Sequence, residues 1–431
     1  MKITVVGMGK IGLPLAVQYA DKGHTVFGAD VNAETVDLIN AGREPFPGEN
    51  DLASKLATVV ASGSLTATLD TTGVVSQSDV VVVVVPLFVD AEGVPDFGWM
   101  DNATASIGHG LRHNSLVSYE TTLPVGTTRN RFTPMLESLS GLTVGRDFDV
   151  VFSPERVLTG RVFADLRKYP KLVGGVTEKS TSRGVAFYES VLDFDARDDL
   201  PRPNGVWSLG SAEASELAKL AETTYRDVNI GLANQFARYA DQQHIDIYAV
   251  IEACNSQHFS HIHQPGIAVG GHCIPIYPQI YLWNDPDATI VRAARTANRS
   301  MPRYAVALLE EKHGSLAGQR VAVLGASYRG GVKETAFSGV FEVVDELKMA
   351  GAKPLVNDPM YTKDEIEALG FENYEFGDIV DAVIVQANHD EYNRVAADNM
   401  PGARTIIDGR GITSPLLRKA IRTYVIGSAS V

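Results

Sequence analysis

The sequence predicts an α/β protein built of two Rossmann-like, doubly wound domains joined by a long central helix. Three observations predict it. Short aliphatic runs alternate with helix-like stretches over residues 1–90, a nearly glycine-free run comes later from residue 211, and a second strand-and-helix unit begins at residue 320. Such alternation marks parallel strands with helical crossovers. A chain of 431 residues is long enough for two or three domains, each with its own core.

The elements follow in order. Ile3-Thr4-Val5-Val6 reads as the first strand, residues 13–22 as its helix, and Thr25-Val26-Phe27-Gly28 as the second strand. The run 80–85 is a buried strand, far short of the roughly 20 apolar residues that span a bilayer. Leu116-Val117-Ser118-Tyr119 and Asp149-Val150-Val151-Phe152 are further strands, and the sheet is expected to close near residue 195. From 211 to about 244 the run is rich in Ala, Leu, Glu and Lys, with only Gly231 interrupting it, and predicts one long helix that could serve as a spine and a dimer contact. The glycine-dense segment 265–271 breaks helicity and lets backbone approach a ligand. Strands of a second, smaller unit are expected at Arg320-Val321-Ala322-Val323-Leu324, Lys353-Pro354-Leu355-Val356, 381–385 and 404–407. The expected domains are 1–200, 201–312 and 313–431.

A net charge of −14 argues against a nucleic-acid partner, because neutralising phosphates takes clustered Lys and Arg. No membrane partner and no secretory leader are expected, since the N-terminus opens directly into a strand. Two cysteines, Cys254 and Cys273, exclude a disulfide scaffold and suit a reducing cytoplasm.

Gly7-Met8-Gly9-Lys10-Ile11-Gly12 follows a strand and opens a helix, the context that a dinucleotide fingerprint requires. Asp30 ends the second strand, where a carboxylate would accept from the adenosine ribose and repel a 2′-phosphate, so NAD is favoured over NADP. The second unit lacks a full glycine fingerprint and should bind another piece of a nucleotide. Cys273, in Gly270-Gly271-His272-Cys273-Ile274-Pro275, can be presented to a substrate, and His272 could favour its thiolate if suitably oriented; a buried inert thiol is the bland reading. Cys254, in a helix-like segment after Ile251, reads as core. Lys219, within Glu216-Leu217-Ala218-Lys219, reads on its own as a solvated helix lysine. Glu155, in Ser153-Pro154-Glu155-Arg156, and Thr122, in Thr121-Thr122-Leu123-Pro124, follow strand ends, where open α/β sheets bind ligands. His258, His261 and His263 lack carboxylate or cysteine companions at metal-ligand spacing, and no metal is expected.

Taken together these motifs resemble the UDP-glucose/GDP-mannose dehydrogenase family over essentially the whole chain. The fingerprint from Val6 to Pro14, the loop from Thr122 to Thr128, Ser153-Pro154-Glu155-Arg156-Val157, Lys219, Tyr225-Arg226-Asp227-Val228-Asn229-Ile230, Gly270-Gly271-His272-Cys273 and Asp408-Gly409-Arg410-Gly411 fall in family order. Arg-Asp-Val-Asn-Ile and Gly-Gly-His-Cys are similar to the branch acting on UDP-N-acetylhexosamines. The resemblance implies an NAD-binding first domain, a central helical domain carrying the cysteine loop, a C-terminal nucleotide-sugar domain and a homodimer.

It further implies that Cys273 adds to a C6 aldehyde to give a thiohemiacetal, that a second oxidation gives a thioester, and that water releases the acid. Lys219 would stabilise the alkoxide and oxyanion, while Glu155 and Thr122 position substrate and water. NAD would also touch Val85, Pro86 and Thr122. The nucleotide sugar would contact Arg156, Val157, Thr223, Gly266, Gly270, Gly271, His272, Tyr328, Arg329 and Arg410. The sequence departs from the family at four positions: Thr223 replaces an asparagine, Tyr277 an aspartate, Phe259 an arginine expected to cross a dimer, and Ala336 another arginine. Three other readings stand beside this one: a UDP-glucose or GDP-mannose 6-dehydrogenase, a β-hydroxyacid dehydrogenase, which needs no thiol, and a catalytically silent nucleotide-sugar binding protein.

Overall fold

In the computed structural model, which describes residues 1–90 and 92–428, the chain divides into two compact units, Met1–Ala221 and Glu222–Val431. Position 91, within the first expected domain, and positions 429–431, at the end of the third, lie outside the described residues.

The strands of the first unit are β1 (Lys2–Val6), β2 (Thr25–Ala29), β3 (Leu65–Thr68), β4 (Val80–Val83), β5 (Phe88–Val89), β6 (Pro95–Asp96), β7 (Leu116–Tyr119), β8 (Asp149–Phe152), β9 (Lys171–Gly175) and β10 (Val206–Ser211). Apart from the β5–β6 hairpin they form one sheet in the order β10-β9-β8-β7-β4-β1-β2-β3. Period-two alternation sends Ile3, Val5 and Val82 into a core on one face and Val6, Val81 and Val83 into a core on the other. Burial on both faces is why β4 reads as an unbroken aliphatic run. The chain reverses its winding between β1 and β4, so the loops after these two strands flank a switch point, where open α/β sheets bind ligands.

Three expectations need correction. The sheet does not close near residue 195, because β10 continues it to Ser211. The aliphatic run ends as a strand at Val83, leaving Val84 and Val85 to the following loop. β9 pairs antiparallel with β8, with Val151 opposite Gly175, so the sheet is not wholly parallel.

The long helix Ala212–Gln243 matches the nearly glycine-free run to within one residue at each end. The second unit holds β11 (Arg320–Leu324), β12 (Lys353–Asn357), β13 (Ala382–Val385), β14 (Thr405–Asp408) and β15 (Arg422–Val425), all parallel, in the order β12-β11-β13-β14-β15. Val321 and Val323 face one core of this unit, Ala322 and Leu324 the other. The molecule is thus two Rossmann-like sheets connected in the chain by a long helix.

Candidate functional site

In the first unit the chemistry gathers at the carboxyl edge of the sheet. Gly7 leaves β1 at φ +92° with its N–H donating to Ala29 O (2.8 Å), which ties the turn to β2. A Cβ on Gly12 would stand 1.8 Å from Gly7 O, so the helix Gly12–Asp21 can start here only without a side chain; a Cβ on Gly9 would meet nothing within 4 Å. Gly12 therefore serves close packing, while Gly9 leaves room above the turn. No acidic residue stands in the helix's first turn, so its N-terminal partial charge is free of a competing carboxylate. Met8 is buried against Gly28, where a Cβ would fall 2.5 Å from Met8 Cε; Lys10 is exposed and Ile11 half-buried. Asp30 accepts from Met8 N through Oδ2 (2.7 Å) and from Asn32 N through Oδ1 (2.9 Å), which fixes the carboxylate beside the turn with lone pairs to spare for a ribose. An open space over Gly9, a bare helix N-terminus and an anchored acid fit a dinucleotide. Val85 and Pro86 follow β4 at the switch point, and Val85 O accepts from Thr121 Oγ1 (2.7 Å).

Thr122 is buried in the loop after β7. That loop is pinned by Glu216 of the long helix, whose carboxylate accepts from Gly126 N (2.6 Å), Thr128 N (2.9 Å) and Thr128 Oγ1 (2.7 Å). Burial pushes the Glu216 carboxyl up to about 7 despite those donors. One turn on, Lys219 corrects the reading of it as a solvated lysine. Its side chain is buried and Nζ donates to Glu155 O at 2.6 Å.

Glu155 belongs to a buried charged cluster. Lys171 Nζ donates to Glu155 Oε2 (2.8 Å) and Glu120 Oε2 (2.7 Å), Arg156 N donates to Glu155 Oε1 (2.7 Å), and Tyr188 OH donates to Glu120 Oε1 (2.6 Å). Burial would raise the Glu155 carboxyl, but the Lys171 ammonium holds it below its ordinary value; Glu120 is pushed up to about 7, chiefly by burial. Arg156 also donates to Pro170 O (3.2 Å), and Arg156 and Val157 line a small cavity with Glu155 and Lys171. Glu120, Lys171 and Glu216 are additions to the residues expected from sequence. Their partners lie 16 to 101 positions away, so spacing carries no sign of them.

In the second unit, asparagines clamp the backbone that leads into the glycine segment. Asn229 accepts from His263 N (2.9 Å) and donates to His261 O (2.6 Å), Asn255 brackets Ile262, and Asn234 accepts from Gly266 N (2.9 Å). Thr223 is fully buried. A Cβ on Gly266 would meet Arg410 at 2.6 Å, and one on Gly270 would meet Tyr328 Cβ at 2.4 Å; Gly271, at φ +85°, donates to Ala336 O (2.9 Å). The segment is thus seated on Tyr328 and Arg410, which follow the carboxyl ends of β11 and β14. Arg410 donates to Gln386 O (2.6 Å), and the exposed Arg329 donates to Tyr328 OH (3.2 Å).

Cys273 is half-buried, and its carbonyl accepts from Tyr277 N (2.9 Å) at the start of the helix Tyr277–Asn284. His272 is exposed and its Nε2 lies 3.6 Å from Glu334 Oε2, which gives the ring a carboxylate partner. Cys254 is half-buried rather than core, because Glu252 and Ala253 beside it on the helix Ile247–Asn255 face solvent. Phe259 is 85% exposed. Among the described residues no group of three or more His, Cys, Asp or Glu could hold a metal ion, and no helix is long and apolar enough to cross a membrane.

Comparison with known proteins matches three family models in chain order, described as the NAD binding domain (residues 1–192), central domain (213–300) and UDP binding domain (322–415) of the UDP-glucose/GDP-mannose dehydrogenase family. A UDP-N-acetyl-D-mannosamine dehydrogenase of Pyrococcus horikoshii is 33% identical over 420 residues, covering 96% of each chain. The solved structure of a UDP-D-ManNAc dehydrogenase from that organism covers all of both chains at 31% identity with a TM-score of 0.88. An NDP-N-acetyl-D-galactosaminuronic acid dehydrogenase from Methanosarcina mazei Go1 is 28% identical with a TM-score of 0.83, covering 99% of this chain and 95% of its own.

Proposed function

The chain belongs to the UDP-glucose/GDP-mannose dehydrogenase family and is an NAD-dependent nucleotide-sugar dehydrogenase, and from that premise we propose that it oxidises C6 of a UDP-N-acetylhexosamine to the carboxylate through Cys273. The observation that carries the proposal is the seating of the Cys273 loop. Three asparagines, Tyr328 and Arg410 hold a glycine segment that ends in a half-exposed thiol. The N-acetylhexosamine reading is supported by full-length likeness to enzymes named for such sugars.

In the first unit Gly7, Met8, Gly9, Lys10, Ile11 and Gly12 would receive the pyrophosphate of NAD, Asp30 the adenosine ribose, and Val85, Pro86 and Thr122 the remainder. Bound NAD supplies the hydride acceptor for each oxidation. The Cys273 sulfur adds to the aldehyde carbon, and the former carbonyl oxygen takes up a proton as the thiohemiacetal forms. After the second oxidation, water attacks the resulting thioester, the C–S bond breaks, and the thiol is restored with release of the acid. Lys219 sets a positive charge against the oxygen anion in a water-poor setting, where such a charge acts most strongly. Glu155 and Thr122 orient the reacting hydroxyl and the attacking water. Arg156, Val157, Thr223, Gly266, Gly270, Gly271, His272 and Tyr328 would line the sugar, with Arg329 and Arg410 turned to the diphosphate, which suits guanidinium forks.

The same reading divides the chain into an NAD-binding domain (1–200), a central domain with the thiol loop (201–312) and a nucleotide-sugar domain (313–431). It places the enzyme in the cytoplasm as a homodimer. Tyr225, Leu232, Phe236 and Tyr239 support the dimer, since they are exposed along one stripe of the long helix. A panel of UDP- and GDP-sugars incubated with NAD and scored for NADH and acid tests the proposal: a UDP-N-acetylhexosamine should give both. Turnover confined to another sugar would overturn the substrate assignment.

A further inference from the structure

We propose that Lys171 and Glu120 are the positioning pair for Glu155, holding its carboxylate in one orientation and fixing the backbone carbonyl that Lys219 grips. The inference rests on the reaction proposed above, in which Glu155 and Lys219 act on the substrate.

The topology makes the pair possible. Glu120 leaves β7 and Glu155 follows β8, so both stand at the carboxyl edge of the sheet. Lys171 opens β9, and only because β9 runs antiparallel to β8 does its first residue reach that same edge. Ser153 Oγ donates to Leu172 O at 2.8 Å and pins this crossing. A parallel β9 would have placed the lysine at the opposite end of the sheet.

The geometry leaves Glu155 little freedom. Lys171 Nζ is occupied by Glu120 Oε2, Glu155 Oε2 and the face of the Tyr188 ring, 4.8 Å from its centroid. Glu155 has Lys171 on Oε2 and the Arg156 amide on Oε1. Glu155 N donates to Glu120 O at 3.3 Å, so backbone and side chain of Glu120 both anchor the loop. The charged and titratable groups facing the cluster are Lys171 from β9, Tyr19 and Tyr188 from the helices beneath, Arg156 on the loop and Lys219 from the long helix.

A purely structural anchor would need one carboxylate for one ammonium, and apolar residues in its place are often neutral or stabilising, because charges are costly to bury. Here two carboxylates share a lysine that is 4% exposed, beside a loop whose carbonyl receives Lys219. The division of charge follows. With burial opposing ionisation throughout, the Lys171 ammonium holds the Glu155 carboxyl below its ordinary value, while burial pushes the Glu120 carboxyl up to about 7. Glu155 is thereby left as an acceptor for the hydroxyl or water that it orients.

The test compares Lys171→Met, Lys171→Arg and Glu120→Gln by pH-rate profile and by infrared titration of the folded protein. Without the ammonium, burial should raise the Glu155 carboxyl and carry the acidic limb of kcat upward with it. At pH 7 kcat for Lys171→Met should fall about tenfold or more while KM for NAD changes less than about threefold, and Lys171→Arg should recover much of the loss. Glu120→Gln should remove an ionisation near neutrality from the profile. Read in a Glu216→Gln background, which removes the other carboxyl pushed up to about 7, the infrared spectrum reports the cluster without turnover: a buried acid band that titrates near neutral pH should vanish in Glu120→Gln, and a second should appear in Lys171→Met. A wild-type enzyme inactive on every nucleotide sugar would overturn the reaction and leave the infrared result to decide the pair. An unmoved acidic limb in Lys171→Met, or an acid band indifferent to both substitutions, would overturn the pair itself.

Discussion

Replacing Gly12 and Gly9 by alanine, one at a time, should separate two roles that a glycine fingerprint combines. At Gly12 the new Cβ would lie 1.8 Å from Gly7 O, well inside ordinary van der Waals contact. The obstacle is backbone and has no simple retreat, since Gly7 is tied to Ala29 O and a Cβ of its own would stand 3.1 Å from the Val84 and Val85 backbone. Overpacking of this kind costs about 1–3 kcal/mol, and an immovable neighbour puts Gly12→Ala at the upper end. If the turn opens by that amount, NAD affinity falls by roughly 100-fold, since each 1.4 kcal/mol is tenfold. The unfolding temperature should drop by about 2–4 °C for each kcal/mol. Gly9→Ala meets nothing within 4 Å, so its unfolding temperature should equal wild type, while the added methyl occupies the space left for the pyrophosphate and weakens NAD. Calorimetric NAD titration and thermal melts decide this. A Gly12→Ala protein that melts like wild type and binds NAD within about threefold of it would refute the packing argument, and loss of stability in Gly9→Ala would refute the open-space argument.

Other expectations follow from the same geometry. Lys219→Ala should lower kcat by about 100-fold with little change in KM, as loss of one oxyanion donor does, whereas Arg410→Ala should mainly raise KM for the nucleotide sugar; the reverse pattern in steady-state kinetics would exchange their roles. Asp30→Ala should relax the preference for NAD, and a wild-type enzyme equally active with NADP would remove the ribose assignment. Glu216, raised by burial to about 7, contributes stability that is fully present below its unfolded value near 4.3 and is lost as pH rises through about 7. The loss is on the order of 3 kcal/mol, so urea unfolding at pH 5 and pH 8 should differ less for Glu216→Gln than for wild type, and an unchanged difference would reject the cause given.

The parts of this molecule that were legible in the sequence are those governed by local periodicity. β7 and β8 fall on the residues expected because each is a short run of apolar and β-branched or aromatic residues between turn residues, and the long helix begins directly after Gly210 and Ser211. β3, β5, β6, β9, β10 and β15 escaped, being short or half-exposed or, in β9, closed by two glycines, with Leu65-Thr66-Ala67-Thr68 and Val206-Trp207-Ser208 carrying no aliphatic run. The glycine turn was legible as a turn between strand and helix, while the separate demands on Gly9 and Gly12 follow from the backbone around them. The charged cluster was not, because Glu120, Glu155 and Lys171 meet only through an antiparallel strand that no local pattern announces. Lys219 shows the same limit: its neighbours on the helix say solvent, while its partner is a backbone carbonyl 64 positions away.

The central claim, that one site oxidises the sugar twice through Cys273, is tested most directly by counting NADH formed per nucleotide sugar consumed, in wild type and in Cys273→Ala. The account predicts two NADH and the free acid from wild type, with no acid from Cys273→Ala although NAD still binds. One NADH per sugar, or undiminished acid from the Cys273→Ala enzyme, would contradict it.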